Sequence, residues 1–330
     1  MNALHARSIV IDAVSPLLQH PRFLPYYIKG GVTAVCPTIA IHEHANVALA
    51  RIGEWHRIAR ELPGVIIVRT TKDIERAKQE GAIAIIPHFQ NIGPIEGNLD
   101  LVDGFAAAGV KVVQIAYNER GLAGDGCEEP SDAGLSRFGR TLIERLEACR
   151  VVVDCSHTGA KTTREAIAQA RRPIVVSHAN ANAVRKSLRN LDDDVIRAIA
   201  DKGGLVGAVA FPPFISATVP PRIGEFAEQI AYMVKVGGAD HVGLGLDYYD
   251  GGHPFSSDEQ AMEIFRRETE SGRWSSAYPA PPWKFPAEIA TPDLLPHLTD
   301  ALQKFGLRDS TIEKVLGLNW MRVYREVWGA

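Results

Sequence analysis

Two short apolar runs end in an imidazole: VVVDCSH closes at His157, and PIVVSHAN carries His178. Neutral imidazoles at the carboxyl ends of parallel strands can ligate a metal ion or carry protons, because those strand ends face the active site in α/β enzymes. A single histidine at a strand end is often only a hydrogen-bonded packing residue. Two on consecutive strands, with Asp247 ending the run HVGLGLD, make a stronger case. Asp247 could cap the turn that follows, as Asp often does. As a functional group it would bind a metal or take a proton from water. Arg189, in SLRNLDDD, could answer the neighbouring acids at the surface. Alternatively its planar fork could grip a substrate carboxylate in bidentate fashion. Tyr117, closing KVVQIAY, is either a rim-packing residue or a hydroxyl donor to substrate. His88, near the end of AIAIIPHF, and His42 with His44 in the segment HEH are further candidates, although HEH also reads as a solvated helix entry.

Such residues need a frame. Strand-like runs cover residues 8–14, 32–39, 82–89, 111–117, 151–157, 173–179, 205–211 and 241–249. They are near-continuously apolar, as parallel strands covered on both faces must be. The run 64–70, GVIIVRT, reads as an extra strand or as part of the second βα unit. Amphipathic segments such as LDLVDGFAAAG, FGRTLIERLEACR and KTTREAIAQA lie between the strands. DDDVIRAIADKGG begins with acids suited to a helix N-terminus and ends at glycines suited to its C-cap. Eight βα units predict one distorted TIM-like (β/α)8 barrel domain over residues 1–330. No GxGxxG or Walker A motif supports a doubly wound sheet. Residues 251–292, rich in Pro, Gly and Trp, follow the eighth strand and are expected over the active-site mouth as a lid or a subunit contact. The aromatic stretch 273–283 would be costly to expose, which predicts a homodimer.

Bulk composition removes several function classes. At 330 residues and 46% hydrophobic content, the chain can bury a substantial core. A net charge of -3 without a dense basic run argues against nucleic acid as a partner. No stretch approaches the roughly 20 apolar residues of a membrane span. The N-terminus enters a strand with no basic segment and h-region before it, which predicts a cytoplasmic protein without a membrane partner. Cys36, Cys127, Cys149 and Cys155 lack CxxC spacing, so neither a zinc ribbon nor a disulfide framework is indicated.

Several segments together resemble the renal or membrane dipeptidase family, zinc enzymes on a distorted TIM barrel. They are VID near the start, GGVTA at 30–34, GLSRFGR at 134–140 and VVDCSHTG at 152–159. The likeness continues through VVSHANANAV, the Arg189-Asn190 pair, RAIADKGGLVG, GADHVGLGLDYYDG and IEKVLGLNWMRV. The resemblance implies two zinc ions bridged by a glutamate, a bridging hydroxide as nucleophile, and an arginine on the C-terminal carboxylate of a dipeptide. Carried over by position, it implies His157 and His178 as ligands of one metal and Arg189 as the carboxylate anchor. Asp247 matches the acid that lies beside the other metal and handles the proton. Tyr117 stands where the family has a substrate-polarising histidine, and the family analogy also points to a homodimer.

The departures are as informative. The family reads VIDGHNDL, whose His and Asp bind the first zinc. Here the segment is VIDAVSPL, with Val14 and Pro16 at those places. Counting back from the fourth strand puts Gln90 at the position of the bridging glutamate, whereas Glu96 in PIEGN falls six residues later. Two divalent ions about 3.5 Å apart repel by roughly 19 kcal/mol at an effective dielectric near 20, and a neutral amide offsets none of this. The expectation is therefore at most one divalent ion, zinc in the first instance, on His157 and His178, with Gln90, Asp247 and His88 as further candidate ligands. The implied activity is hydrolysis of an amide or related C–N bond in a small carboxylate-bearing, dipeptide-like substrate. Two alternatives stand beside it. One is a metal-independent lyase or isomerase of an amino-acid-like acid, with His157, His178 and Asp247 as proton carriers. The other is a non-catalytic binding protein.

Overall fold

The computed structural model describes residues 2–329. Runs of β-branched residues form short strands, since such side chains pack well on a pleated, covered surface. They are β1 (Ile11–Ser15), β2 (Ala34–Ala40), β3 (Val65–Ile67), β4 (Ile83–Ile85), β5 (His88–Phe89), β6 (Val112–Gln114), β7 (Val152–Asp154), β8 (Val175–Val176), β9 (Leu205–Ala208) and β10 (Val242–Leu244). All pairings between them are parallel. The segment expected as one strand over 82–89 is two strands. Pro87 has no N–H to give a ladder, and the chain shifts partners there. β4 pairs with the first half of β2 and with β3, while β5 pairs with the second half of β2 and with β6. The run 64–70 supplies β3, an extra strand. The curled path β1-β2-β5-β6-β7-β8-β9-β10 has eight strands, and β4-β3 branches from its base.

No ladder joins β1 to β10; a side chain crosses the seam instead. Asp12, wholly buried in β1, accepts a hydrogen bond from the Leu246 N–H at 2.8 Å, and the Leu17 N–H donates to the Tyr248 carbonyl at 2.7 Å. Helices such as Asp100–Ala108, Arg137–Ala148, Ala160–Gln169 and Asp193–Asp201 cover the outside of the curled sheet, their apolar faces packed on it.

Inside, the barrel is apolar at its base and polar at its top. Ile11, Ala34, Ala84, Val112, Val152, Val175 and Leu205 form the base, into which the C-terminal helix Asn319–Trp328 inserts Trp320, Tyr324 and Trp328. The Trp320 indole N–H donates to the Leu244 carbonyl at 3.0 Å. That approach requires Gly243, where an added Cβ would lie 2.4 Å from the indole nitrogen. The base is thus a solid plug, and chemistry is confined to the other end.

Residues 251–292 contribute the helix Asp258–Glu270 and a loop over the top of the barrel. The rings of Trp274, Tyr278, Trp283 and Phe285 are at most 7% exposed, covered by one another and by Phe211 and Tyr248. The expectation of a homodimer rested on the family resemblance and on the cost of exposing this stretch. The chain covers the rings by itself, so the second ground is withdrawn. Among the described residues, no helix is long and apolar enough to cross a membrane.

The seam carries a pH signature. Burial pushes the Asp12 carboxyl up to about 8, with nearby Asp247 adding to the effect and the Leu246 and Val14 N–H groups opposing it. A carboxyl raised in the folded state holds its proton there more tightly than in the unfolded chain. Its contribution is intact below about pH 4 and is lost as pH rises through about 8. Asp12→Asn keeps an oxygen for the Leu246 N–H and cannot ionise. Urea denaturation should show the variant matching the parent near pH 4 and exceeding it by on the order of a few kcal/mol at pH 8. A difference that does not change with pH would contradict this assignment.

Candidate active site

The floor of the site is a hydrogen-bonded string that starts at a buried acid in β7. Asp154 is inaccessible to solvent, and its Oδ1 accepts from the N–H groups of Ser156 and Ser177, both at 2.9 Å. Burial opposes its ionisation, but His88, His178 and the Ser177 hydroxyl outweigh burial and hold the carboxyl below its ordinary range. An ionised carboxylate only accepts, so the single Ser177 hydroxyl proton goes to Asp154 Oδ2 at 2.5 Å. Ser177 Oγ must then accept from His178 Nδ1–H, 2.8 Å away. At the other end of the string, His157 Nδ1–H donates to Asn118 Oδ1 at 2.6 Å. Both rings therefore carry their proton on Nδ1. Their Nε2 lone pairs face each other across 2.8 Å. Burial, followed by the positive charge of Arg189, pushes both imidazoles well below their ordinary range.

Backbone strain marks two of these positions. His157 follows β7 with φ +62°, and Asp247 follows β10 with φ +57°. Both lie in the left-handed region, where a side chain other than glycine is uncommon and costs about 1 kcal/mol or more. The fold tolerates the cost at the two places where an imidazole and a carboxyl are turned towards the same cavity.

That cavity, about 380 Å³, is lined by Gln90, Tyr117, His157 and Asp247 from the barrel top. His42 and Glu43 close one side, and Arg267, Glu268, Arg273, Trp274 and Tyr278 of the 251–292 segment lie over it. Burial pushes the Asp247 carboxyl up to about 7, against the lowering effect of Arg189. Tyr117 lies flat on His157, with ring centroids 4.0 Å apart at 20°, and burial raises its phenol. Arg189 is 4% exposed; its Nη2 donates to the His178 carbonyl at 3.2 Å, it rests 5.5 Å over the Phe214 ring, and its Nε has no partner.

The remaining sequence candidates divide. Gln90 reaches the cavity, but its Oε1 is engaged by the Thr38 hydroxyl at 2.7 Å. His88 lies beneath the floor, with Nε2 3.3 Å from Asp154 Oδ2 and without hydrogen-bond alignment. His42 enters the cavity, whereas His44 points to solvent and pairs with Glu96 at 3.0 Å. Glu96 also caps the Ala45 N–H, far in role from the cavity. Sequence reasoning missed Asp154, Ser177 and Asn118. An acid inside the apolar run VVVDCSH was the available signal, because a carboxylate in a covered strand needs partners.

Comparison with known proteins bears on this geometry. The model of the membrane dipeptidase family (peptidase family M19) matches residues 22–277. The chain belongs to that family. An amidohydrolase from Pseudomonas aeruginosa of known structure is 33% identical, with a TM-score of 0.87 over 99% of this chain and 98% of its own. A metallopeptidase from Rhodobacter sphaeroides, solved with a phosphinate mimic of the dipeptide L-Ala-D-Ala, shares the fold at 20% identity. Its TM-score is 0.80 over 97% of this chain and 100% of its own. An uncharacterised protein of the pqqA 5′ region in Klebsiella pneumoniae is 27% identical over 78% of this chain and 86% of its own length.

A family that includes metallopeptidases raises the question of which ions these side chains fit. Val14 and Pro16 carry no donor atom, and the Gln90 oxygen is already bonded. Among the described residues, no group of three or more His, Cys, Asp or Glu side chains is placed to hold an ion. The donor set does not fit a two-ion centre. His157 and His178 do fit as two ligands of one ion. Each has a free Nε2 lone pair, and each Nδ1–H is fixed by an acceptor, the arrangement by which outer partners orient ligating histidines.

Asp154 is the anchor of this floor, and its removal leaves two buried N–H groups without an acceptor. Asp154→Ala should lower stability at pH 7 by about 3–5 kcal/mol in urea denaturation. A loss below about 1 kcal/mol would show that the string is not held from this residue.

Proposed function

We propose that this family member hydrolyses an amide or related C–N bond in a small, carboxylate-bearing, dipeptide-like substrate, with a metal site reduced to one divalent ion, zinc in the first instance. The observation that carries the reading is the facing pair of Nε2 lone pairs on His157 and His178, 2.8 Å apart. Two lone pairs facing each other at that distance repel unless both rings bind a cation. The depressed basicity of both rings disfavours a shared proton near neutral pH. A divalent ion held by His157 and His178 would supply Lewis-acid polarisation of the scissile carbonyl. With two protein ligands rather than three, it would be held more weakly than a typical catalytic zinc.

The chain's own groups divide the remaining work. Arg189, buried with Nε unpaired, receives the substrate carboxylate in its fork. Asp247, raised to about 7, is ionised enough at neutral pH to take a proton from water and basic enough to hold it. Tyr117 keeps its phenol proton and donates to the oxygen that becomes negative in the transition state. Tyr249, Trp274 and Tyr278 limit water in the cavity.

One observation favours a second reading. The Nε2–Nε2 separation is an ordinary hydrogen-bond length, so a proton shared between the rings would fit there as well. A metal-independent lyase or isomerase of an amino-acid-like acid would then use the imidazole pair and Asp247 as proton carriers.

Kinetics on N-acyl amino acids and dipeptides with zinc in excess separate these readings. His157→Ala and His178→Ala should each lower kcat/KM by about a thousandfold or more, and full activity in either variant would remove the mechanism. Arg189→Lys should raise KM about tenfold with a smaller effect on kcat, because the bidentate fork is lost. In the parent, kcat should climb as pH rises through about 7 and Asp247 loses its proton, and this limb should be absent in Asp247→Asn. Activity that survives exhaustive chelation would favour the metal-independent reading.

A further inference from the structure

His157 also lines a second cavity, of about 720 Å³. Arg189 opens into this second cavity, together with Arg185 and Lys186, whereas Asp247 and Tyr117 open into the first. Residues 277–279 form part of the partition: Ala277 and Pro279 face the second cavity, and Tyr278 faces the first. With His157 common to both linings, a substrate gripped by its carboxylate at Arg189 and cut beside His157 would place its other half in the first cavity. This step rests on the hydrolase reading above.

The first cavity presents rings and no free negative charge to that half. Phe211, Tyr249, Trp274 and Tyr278 line it, with Trp274 stacked on Tyr278 at 4.2 Å and 16°. Its acids are already committed. Glu43 holds Arg51 at 2.7 Å and the Ile41 N–H at 2.6 Å. Glu268 holds Arg267 at 3.1 Å and Arg273 at 3.0 Å. Asp247 is assigned to proton transfer. Among the described lining residues, no carboxylate remains for the α-ammonium of an unblocked dipeptide, and an ammonium taken from water without a partner is strongly disfavoured. Arg267 and Arg273 add positive charge at the same mouth. Rings favour a flat apolar group, which can stack or meet them edge to face.

We infer that this cavity takes the acyl half of an N-acyl amino acid, above all an aromatic acyl group, rather than the charged amino end of a free dipeptide. The substrate class is an N-aroyl amino acid, and Trp274 and Tyr278 determine the preference.

Four ligands that share C-terminal alanine, each as the D and the L isomer, test this: N-benzoyl-alanine, N-acetyl-alanine, Phe-Ala and Ala-Ala. Binding is read by calorimetry and cleavage by release of alanine, on the full chain with zinc in excess. N-benzoyl-alanine should bind at least tenfold more tightly than Phe-Ala, which has a comparable ring but carries the ammonium. Trp274→Leu and Tyr278→Leu should each narrow the benzoyl-to-acetyl ratio about fivefold or more, in protein whose melting temperature matches the parent. Benzoyl-alanine bound with that preference but not cleaved would support the cavity assignment and remove the hydrolase reading. Phe-Ala or Ala-Ala bound as tightly as the acyl compounds would overturn the inference. So would a benzoyl-to-acetyl ratio unchanged in both well-folded variants, or no binding of any of the four.

Discussion

The reactive floor depends on one buried negative charge. Asp154 sits inside the barrel on β7, accepts two backbone N–H groups and takes the only hydroxyl proton of Ser177. That choice leaves Ser177 Oγ as an acceptor and fixes the tautomer of His178. Asn118 does the same for His157 from the other side. Neither imidazole is then free to choose which nitrogen it offers. The arrangement is a consequence of proton counting: with both Nδ1 atoms carrying their protons, the two Nε2 lone pairs are left facing each other.

The rest of the fold serves that arrangement by separating stability from chemistry. Trp320, Tyr324 and Trp328 plug the base of the barrel and give it a dry core, so the polar top can carry strained and desolvated groups. His157 and Asp247 occupy the left-handed region, and Asp12 lies buried where β1 meets β10. Asp12 accepts from the N–H of Leu246, the residue that precedes Asp247, so the seam of the barrel runs directly beside that position. The 251–292 segment lines the top with rings and paired charges.

Much of this was legible in the amino-acid order, and the remainder was hidden for physical reasons. Covered parallel strands read as apolar runs, and a polar residue at the end of such a run stands out; His157, His178 and Asp247 are visible for that reason. The split at Pro87 departs from the single strand expected over 82–89, although the proline, which cannot serve a central ladder, was an available signal. The tautomers were not. They follow from contacts across strands, such as Ser177 with Asp154 and Asn118 with His157, which depend on register rather than on local pattern. The aromatic stretch near Trp274 was visible as composition, but composition does not say whether the rings are covered by the same chain or by another.

The direct test of the shared-cation claim is zinc bound per chain, measured by elemental analysis after equilibrium dialysis, in the parent and in His157→Ala and His178→Ala. The arrangement of donors predicts about one ion per chain in the parent and none in either variant. Two ions per chain, one ion retained without His157, or no ion in the parent would each contradict it.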